Sequence, residues 1–274
     1  MTISLVIATI NRIKELEELF ESLIKVDYDK KKLEIIVIDQ NKDEKLKKII
    51  EKYEKYFKLK YIKSDVVGLA KNRNIGIKVS TGEIICFPDD DCQFLCDTLK
   101  NVCKEFEKND IDILLGKIID ESGKNCIRSW SNFYKKITKY NFYLNTSSIT
   151  LFKKNNKSLF DERFGVGEKY GSCEDSDFLF RELKEKKKVF YSPNVILYHP
   201  AFKGKITIEK ARDYGRGFGA FCKKNFCLSI LVLYLCSQCL FIFRMLKNYL
   251  KNKNEYNIAK SGFIGRIRGF VEYE

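Results

Sequence analysis

The chain has 274 residues, a mass of 32.2 kDa, 45% hydrophobic residues and only three Pro. This length and composition exclude a disordered, fibrous or low-complexity protein and allow one globular domain with an appendage. Lys and Arg number 51 against 37 Asp and Glu, and the net charge of +14 predicts attraction to phosphates, anionic lipid head groups or nucleic acid.

The first half of the chain alternates short runs of β-branched residues with longer segments of helical period. Strands are predicted at 3–8, 33–39, 60–63 and 83–87, and helices at 13–26, 45–57, 69–79 and 96–109. This order is typical of an α/β fold with a mainly parallel sheet flanked by helices. Ligands of such sheets bind at the carboxyl ends of the strands.

Beyond residue 110 the alternation is less regular. We predict a strand at 111–119, an aromatic and polar stretch at 126–145 that shapes a substrate site, and a strand at 148–152. A helix is predicted at 174–185 because its apolar residues fall on one side. Two short strands at 189–191 and 195–198 then lead to His199.

Residues 226–243 carry no charge and, at 1.5 Å per helical residue, barely match a bilayer core of about 30 Å. Basic residues flank this segment on both sides, so a single crossing would carry seven cations to the far side, which the positive-inside tendency disfavours. We therefore predict an interfacial or re-entrant helix, or one packed against a partner. A helix buried on the core is the alternative. The chain thus divides into a catalytic domain at 1–203 and a membrane-associating helical extension at 204–274.

The ten Cys lie mostly in apolar segments, and the N-terminus lacks a signal-peptide pattern. These features predict a reduced, cytoplasmic setting. The one Cys-x-x-Cys pair, Cys236 and Cys239, has no second pair, and His199 is the chain's single His, so we expect no structural zinc site.

Asp89, Asp90 and Asp91 follow a predicted strand and precede a predicted helix, which places three carboxylates in one loop. Adjacent carboxylates repel one another, and a divalent cation would neutralise them. Mg²⁺ is typically held by one or two carboxylates together with substrate phosphates. The triplet therefore predicts a metal and diphosphate site, with a solvated turn as the alternative.

A second acidic cluster, Glu174, Asp175 and Asp177, opens the predicted helix at 174–185. Acidic residues are common there as capping and dipole partners. That role alone accounts for one or two of the three carboxylates, and we expect Asp177 to face the helix or solvent.

Taken in order, five motifs between residue 3 and about residue 200 resemble the family 2 glycosyltransferases of the GT-A fold. The segment 3–12 is similar to the family's first strand and donor loop, which implies donor contacts from Thr9, Asn11 and Arg12. The segment 33–39 resembles the second strand, whose last residue, here Asp39, contacts the nucleotide. The segment 68–76 resembles the stretch before the metal site, where Arg73 and Asn74 would help to hold the donor.

The segment Phe87-Pro88-Asp89-Asp90-Asp91 resembles the family's Asp-x-Asp motif. This resemblance implies Mn²⁺ or Mg²⁺ bound by Asp89 and Asp91, with Asp90 at the donor. The segment 174–181 resembles the family's acidic motif, with Asp175 as the catalytic base and Glu174 beside it. His199 falls where some members supply a third metal ligand, and a structural turn is the alternative.

Gln40 and Asn41 depart from the second acid and Ser that the family often has after the position of Asp39, which leaves the donor's base and sugar open. The resemblance implies an inverting enzyme that transfers a sugar from a nucleotide-sugar donor to a glycan or glycolipid acceptor in cell-surface polysaccharide synthesis. With the basic flanks of 226–243, it places the enzyme at the cytoplasmic face of the cell membrane, or otherwise in the cytoplasm.

Other classes of protein fit less well. A dinucleotide-dependent oxidoreductase should carry Gly-x-Gly-x-x-Gly after the first strand, where this chain has Thr9, Ile10, Asn11 and Arg12. A nucleic-acid binder fits the net charge, but no helix-turn-helix, zinc-finger or RNA-binding signature is present, so we expect no nucleic-acid partner. A non-catalytic module that binds nucleotide sugars remains a competing interpretation.

Overall fold

The computed structural model describes residues 1–201, 204 and 206–274. The first half contains β1 Ile3–Thr9, α1 Ile13–Ile24, β2 Leu33–Asp39, α2 Lys45–Tyr53, β3 Lys58–Lys63, α3 Leu69–Val79, β4 Ile84–Cys86, β5 Gln93–Phe94 and α4 Thr98–Lys108. The second half contains β6 Ile113–Ile119, β7 Lys135–Ile137, β8 Leu151–Lys154, α5 Glu174–Lys184, β9 Val189–Tyr198, α6 Ile208–Lys224, α7 Leu228–Asn248 and α8 Lys253–Glu272.

Burial explains why the first strands form the centre of the sheet. Every residue of β1 and β2 is buried, which is the pattern of strands covered by helices on both faces. In α1 the buried residues Leu16, Leu19, Phe20 and Leu23 recur at helical spacing and form one apolar face. The predicted α/β fold with flanking helices is confirmed.

The strand order is β3-β2-β1-β4-β8-β6-β9-β5, and β7 pairs with β9. Strands β3, β2, β1 and β4 are parallel to one another, whereas β8 is antiparallel to both β4 and β6. The short strands β5 and β7 are antiparallel to β9. The sheet is therefore mixed, and the carboxyl ends of β2, β1 and β4 lie side by side.

Two strand predictions differ from the structure by more than one or two residues at an end. The predicted strands 189–191 and 195–198 form one strand, β9, whose register against β6 shifts between Leu115 and Lys117. The predicted strand 148–152 begins with a 3₁₀ turn at Ser148–Thr150 and becomes extended at Leu151.

The chain divides into two compact units. The first unit comprises residues 1–67, 71–159 and 181–201, and the second comprises residues 68–70, 160–180 and the described residues from 204 onward. Lys203, at the predicted boundary between a catalytic domain and an extension, lies outside the described residues, and that division stays a prediction.

Glycines let α6 and α8 of the second unit approach closely. A Cβ added to Gly219 would lie 2.0 Å from the carbonyl oxygen of Arg266, and one added to Gly269 would lie 1.9 Å from that of Arg216. Only glycine fits at these positions, since real Cβ atoms do not come so near to backbone oxygen. Close backbone packing therefore joins the two helices.

The helix α7 is long enough and apolar enough to cross a membrane. It has 21 residues, and an 18-residue stretch of it has a mean hydropathy of 1.9 and is only 6% buried. The alternative of an apolar helix buried on the core is therefore wrong for this segment.

Candidate active site

The first cluster of predicted site residues lies at the carboxyl ends of β1, β2 and β4. Thr9 and Asp39 are register partners at the ends of β1 and β2. Asp39 is completely buried and accepts four hydrogen bonds, from Tyr61 Oη at 2.6 Å, Lys63 Nζ at 3.0 Å, Asn41 N at 2.8 Å and Asn41 Nδ2 at 2.6 Å. The carboxylate is therefore held in one orientation by the strands around it.

Tyr61 and Lys63 were not among the predicted site residues. The available signal was their spacing, because residues two apart on a strand share one face, and β3 is the strand beside β2. Asn41, a departure from the family pattern, also has a structural task. Its Oδ1 accepts a hydrogen bond from the backbone N of Asn11 at 2.7 Å, which joins the loops after β1 and β2.

Arginines from two different elements hold the Asp89–Asp91 loop. Arg73 on α3 is 1% exposed and donates to Asp89 at 2.8 Å. Arg12, at the start of α1, is half-exposed and pairs with Asp90 at 3.2 Å and also with Asp91. The structure thus brings together the predicted residues of three motifs, and Asn74 is buried on α3 next to Arg73 in sequence.

The environment of the loop raises the pKa of two of its carboxyl groups. Partial burial raises the pKa of Asp89, the Arg73 guanidinium opposes this, and the negative charge of Asp91 adds to it. Burial raises the pKa of Asp90 to about 6, although the neighbouring Thr9 hydroxyl and the charge of Arg12 act in the opposite direction. Negative charge is therefore costly in this loop, which favours the arrival of a cation.

The pairing of β5 with β9 explains why His199 reaches the loop. Gln93 and Tyr198 are register partners, so the residues just before β5 and just after β9 are neighbours. His199 Nε2 lies 3.3 Å from Asp91 Oδ1, and His199 Nδ1 lies 2.8 Å from the carbonyl oxygen of Pro200. Since a carbonyl only accepts, Nδ1 carries a proton, and Nε2 faces the carboxylate of Asp91.

This arrangement fits a divalent metal. A metal-binding His commonly donates its other ring N–H to a carbonyl, as His199 does to Pro200. A lone pair facing a carboxylate is unfavourable unless a cation lies between them or the ring is protonated. Asp91, Cys92 and His199 offer ligand atoms within 4.8 Å of one another, but burial raises the pKa of the Cys92 thiol well above its usual range, which disfavours the thiolate. The remaining oxygen and nitrogen donors suit Mn²⁺.

The second acidic cluster opens α5, in the second unit. Cys173, just before the helix, has a φ of +70°. Asp175 Oδ1 accepts hydrogen bonds from the backbone N of Ser176 at 2.7 Å and from Ser176 Oγ at 3.2 Å. Ser176 therefore orients the carboxylate of Asp175, which is only partly buried.

Asp177 corrects an expectation. It was predicted to face the helix or solvent, but it is completely buried and accepts from Lys224 Nζ at 2.7 Å and Asn225 Nδ2 at 2.8 Å. The cation and the amide at the end of α6 make a buried carboxylate tolerable there. Asp177 thus joins α5 to α6.

Comparison with known proteins identifies relatives. The model of the family described as Glycosyl transferase family 2 matches residues 4–168, more than half of the chain. Over 131 residues the chain is 30% identical to the poly(ribitol-phosphate) beta-N-acetylglucosaminyltransferase TarS of Staphylococcus aureus, covering 47% of this chain but only 23% of that protein. Over 221 residues it is 27% identical to a GalNAc(5)-diNAcBac-PP-undecaprenol beta-1,3-glucosyltransferase of Campylobacter jejuni, covering 77% of this chain and 69% of that protein.

Solved structures share the fold. The structure of Staphylococcus aureus TarS 1-349 in complex with UDP-GlcNAc matches with a TM-score of 0.71 at 23% identity, covering 99% of this chain and 81% of that chain. The mannosyltransferase PcManGT from Pyrobaculum calidifontis, in complex with GDP-Man and Mn²⁺, matches with a TM-score of 0.66 at 12% identity. The match covers 99% of this chain and 88% of that chain. The architecture is that of these transferases.

Proposed function

The chain belongs to glycosyl transferase family 2, and from this premise we propose that it transfers a sugar from a nucleoside diphosphate sugar to a glycan or glycolipid, with inversion at the anomeric carbon. One observation carries the proposal. Carboxylates, arginines and an oriented His converge at the carboxyl ends of β1, β2 and β4, where ligands of such sheets bind.

In this proposal Asp39 orients the nucleoside, and Thr9, Asn11, Asn74 and Asp90 complete the donor site. The buried Arg73 fixes Asp89, whereas Arg12 is half-exposed and carries a planar guanidinium suited to a diphosphate.

Asp89, Asp91 and His199 would hold Mn²⁺ or Mg²⁺. When bound, the ion stabilises the negative charge that develops on the departing nucleoside diphosphate.

Asp175 is the proposed catalytic base, with Glu174 beside it in the acceptor site. Its carboxylate takes the proton of an acceptor hydroxyl while that oxygen bonds to the anomeric carbon and the bond from this carbon to the diphosphate breaks. The two hydrogen bonds from Ser176 support the assignment, because they orient the carboxylate before the acceptor arrives.

The nucleotide sugars to test first are those present in the two solved structures of similar fold, UDP-GlcNAc and GDP-mannose. The undecaprenol-linked substrate in the name of the Campylobacter relative supports a glycolipid acceptor and a role in cell-surface polysaccharide synthesis. The exposed, apolar α7 supports a place at the cytoplasmic face of the cell membrane, where such acceptors would be reached.

Thermal unfolding with each nucleotide sugar, with and without Mn²⁺, tests the donor site. We expect one donor to raise the melting temperature, and Mn²⁺ to increase the shift, because ligands stabilise the state that binds them. His199→Ala should lose the increment from Mn²⁺ and retain part of the shift from nucleotide. Absence of any donor-dependent shift would refute the proposed donor site. Donor binding without sugar transfer to any acceptor would instead favour a non-catalytic module.

A further inference from the structure

The second unit contains an open cavity of about 540 Å³ to which the proposed reaction assigns no role. One wall is the loop 166–171, and the other is the start of α6, from its N-cap Thr207 to Arg216. The volume lies in the range of about 300–1,000 Å³ that is usual for small-molecule sites.

The loop wall has a fixed conformation. The backbone N of Gly165 donates to the carbonyl of Tyr170 at 2.8 Å, and the N of Tyr170 donates to the carbonyl of Arg163 at 2.9 Å. Gly165 and Gly167 have φ values of +105° and +87°, which glycine adopts without strain. The wall is therefore formed before a ligand arrives, which reduces the entropy cost of binding.

The spacing of the two walls is also fixed. Ser172 Oγ donates to the carbonyl oxygen of Tyr214 on α6 at 3.0 Å. A Cβ added to Gly217 would lie 2.3 Å from Ser172 Oγ, so the loop and the helix are in direct contact just beside the cavity.

The lining is amphipathic and balanced in charge. Tyr214 is 40% exposed, and the side chain of Asp213 is 53% exposed. Among the described residues, the charged members of the lining are three acids and three cations: Glu168, Glu209, Asp213, Lys169, Lys210 and Arg216. Their charges sum to zero, so this part of the lining has no excess of cations to attract a polyanion. An aromatic face beside carboxylates that accept hydrogen bonds suits an uncharged, polyhydroxylated ring.

The second acidic cluster lies beside the start of this loop. A Cβ added to Gly165 would lie 3.3 Å from Glu174 Oε2, and Gly171, in the cavity wall, precedes Asp175 by four residues. We propose that the cavity binds a neutral sugar unit of the acceptor glycan. Tyr214 packs against the sugar ring, and Asp213 accepts hydrogen bonds from its hydroxyls. This inference rests on the proposed function of Glu174 and Asp175 at the acceptor.

The test measures the binding of small sugars to the full chain by saturation-transfer NMR. Lactose, maltose and diacetylchitobiose serve as neutral probes, and glycerol phosphate serves as the anionic probe. We expect at least one disaccharide to bind, and Tyr214→Ala and Asp213→Asn each to weaken it about tenfold, equivalent to about 1.4 kcal/mol. Tyr56→Ala, which removes a tyrosine of similar exposure (43%) from the first unit, is the matched control and should have no effect.

Three results would overturn the proposal: no disaccharide binds, both variants bind the disaccharide as the unchanged chain does, or glycerol phosphate displaces it. Asp213→Asn keeps the test decisive if Tyr214→Ala does not fold. UDP-GlcNAc and GDP-mannose binding is followed in the same samples. Donor binding without disaccharide binding refutes the cavity alone, whereas disaccharide binding without binding of either donor leaves the cavity standing and counts against the proposed transferase.

Discussion

Arg73 has the largest side chain among the fully buried residues that the structure describes. Its guanidinium donates to Asp89 at 2.8 Å and lies 3.5 Å from the carbonyl oxygen of Phe87. A buried cation is tolerated only with such partners, and removing one partner of a buried pair leaves an uncompensated charge. The loop that carries the proposed metal ligands therefore depends on a residue that solvent hardly reaches.

We predict that Arg73→Met lowers the free energy of unfolding by about 3 kcal/mol, because Asp89 loses its buried cation. Arg12→Met, on the same acidic loop but at a half-exposed site, should cost less than about 1 kcal/mol. Urea denaturation of both variants measures the difference. Equal losses would show that burial does not distinguish the two arginines.

Replacing Asp175 is expected to lower turnover. Asp175→Asn keeps the volume and the hydrogen bond from the Ser176 backbone but removes the base, so turnover should fall at least about 10²-fold while donor binding persists. The control is Glu174→Gln. If Asp175→Asn stays active and Glu174→Gln does not, the base is Glu174; if both stay active, the cluster is only a helix cap.

Between elements, Glu34 joins β2 to β1 and to the turn before β4. Its carboxylate accepts from Ser4 Oγ at 2.5 Å, from Thr81 N at 2.7 Å and from Thr81 Oγ1 at 2.8 Å, and it pairs with Lys60 at 2.9 Å. Burial alone would raise the pKa of Glu34, yet the hydrogen bonds from Ser4, Thr81 and Lys60 lower it to about 2.

Because the folded pKa lies below the unfolded value of about 4.3, this group stabilises the fold above that pH, and the contribution is lost as pH falls toward 2. Its size at neutral pH is on the order of 3 kcal/mol. We predict that Glu34→Gln destabilises the protein at pH 7 and that the difference shrinks between pH 4 and 2. Glu18→Gln, at an exposed site of α1, should show no such pH dependence. Denaturation across this range checks both, and a constant difference for Glu34→Gln would contradict the linkage.

The elements also show where prediction from sequence succeeds. Apolar periodicity predicted β1, α1 and β2 to within two residues because it reflects burial along the chain. The break expected near Pro193 does not occur, since the register shift against β6 lets β9 continue. The two-residue strand β5 has no local pattern, and antiparallel pairing of β8 depends on partners far away in sequence.

In the candidate active site, too, some residues were predictable from local motifs, whereas others depend on partners far away in the chain. Asp89, Arg73 and Arg12 were predicted from motifs, and the structure brings them together in the first unit. The pairing of Asp91 with His199, 108 residues apart in the chain, depends on β5 and β9 and was expected only through family resemblance. The role of Asp177 was missed because nothing in the local sequence identifies Lys224 as its partner.

The distribution of polarity on α7 suggests how the whole protein is positioned in the cell. The polar side chain of Ser237 faces inward and accepts from Arg266 Nε at 2.9 Å, and Gln238 is buried. The outward positions Leu235, Phe243 and Leu246 are apolar and 53–73% exposed. Around Ser237 the helix therefore has polar residues inside and apolar residues outside, the reverse of a helix adapted to water.

Basic residues at both ends of α7 complement anionic lipid head groups, so we predict binding to vesicles that contain phosphatidylglycerol, with α7 lying in the interface. Binding should weaken in high salt because the electrostatic contribution is screened. The double variant Leu235→Glu and Leu246→Glu should lose at least about tenfold in partitioning to the vesicles, because two charges would enter the acyl boundary.

The matched control, Val67→Glu with Phe133→Glu, places the same charges at exposed apolar sites of the first unit and should bind as before. Cosedimentation measures each case, and an unmodified protein that stays in the supernatant with phosphatidylglycerol vesicles would refute the membrane assignment.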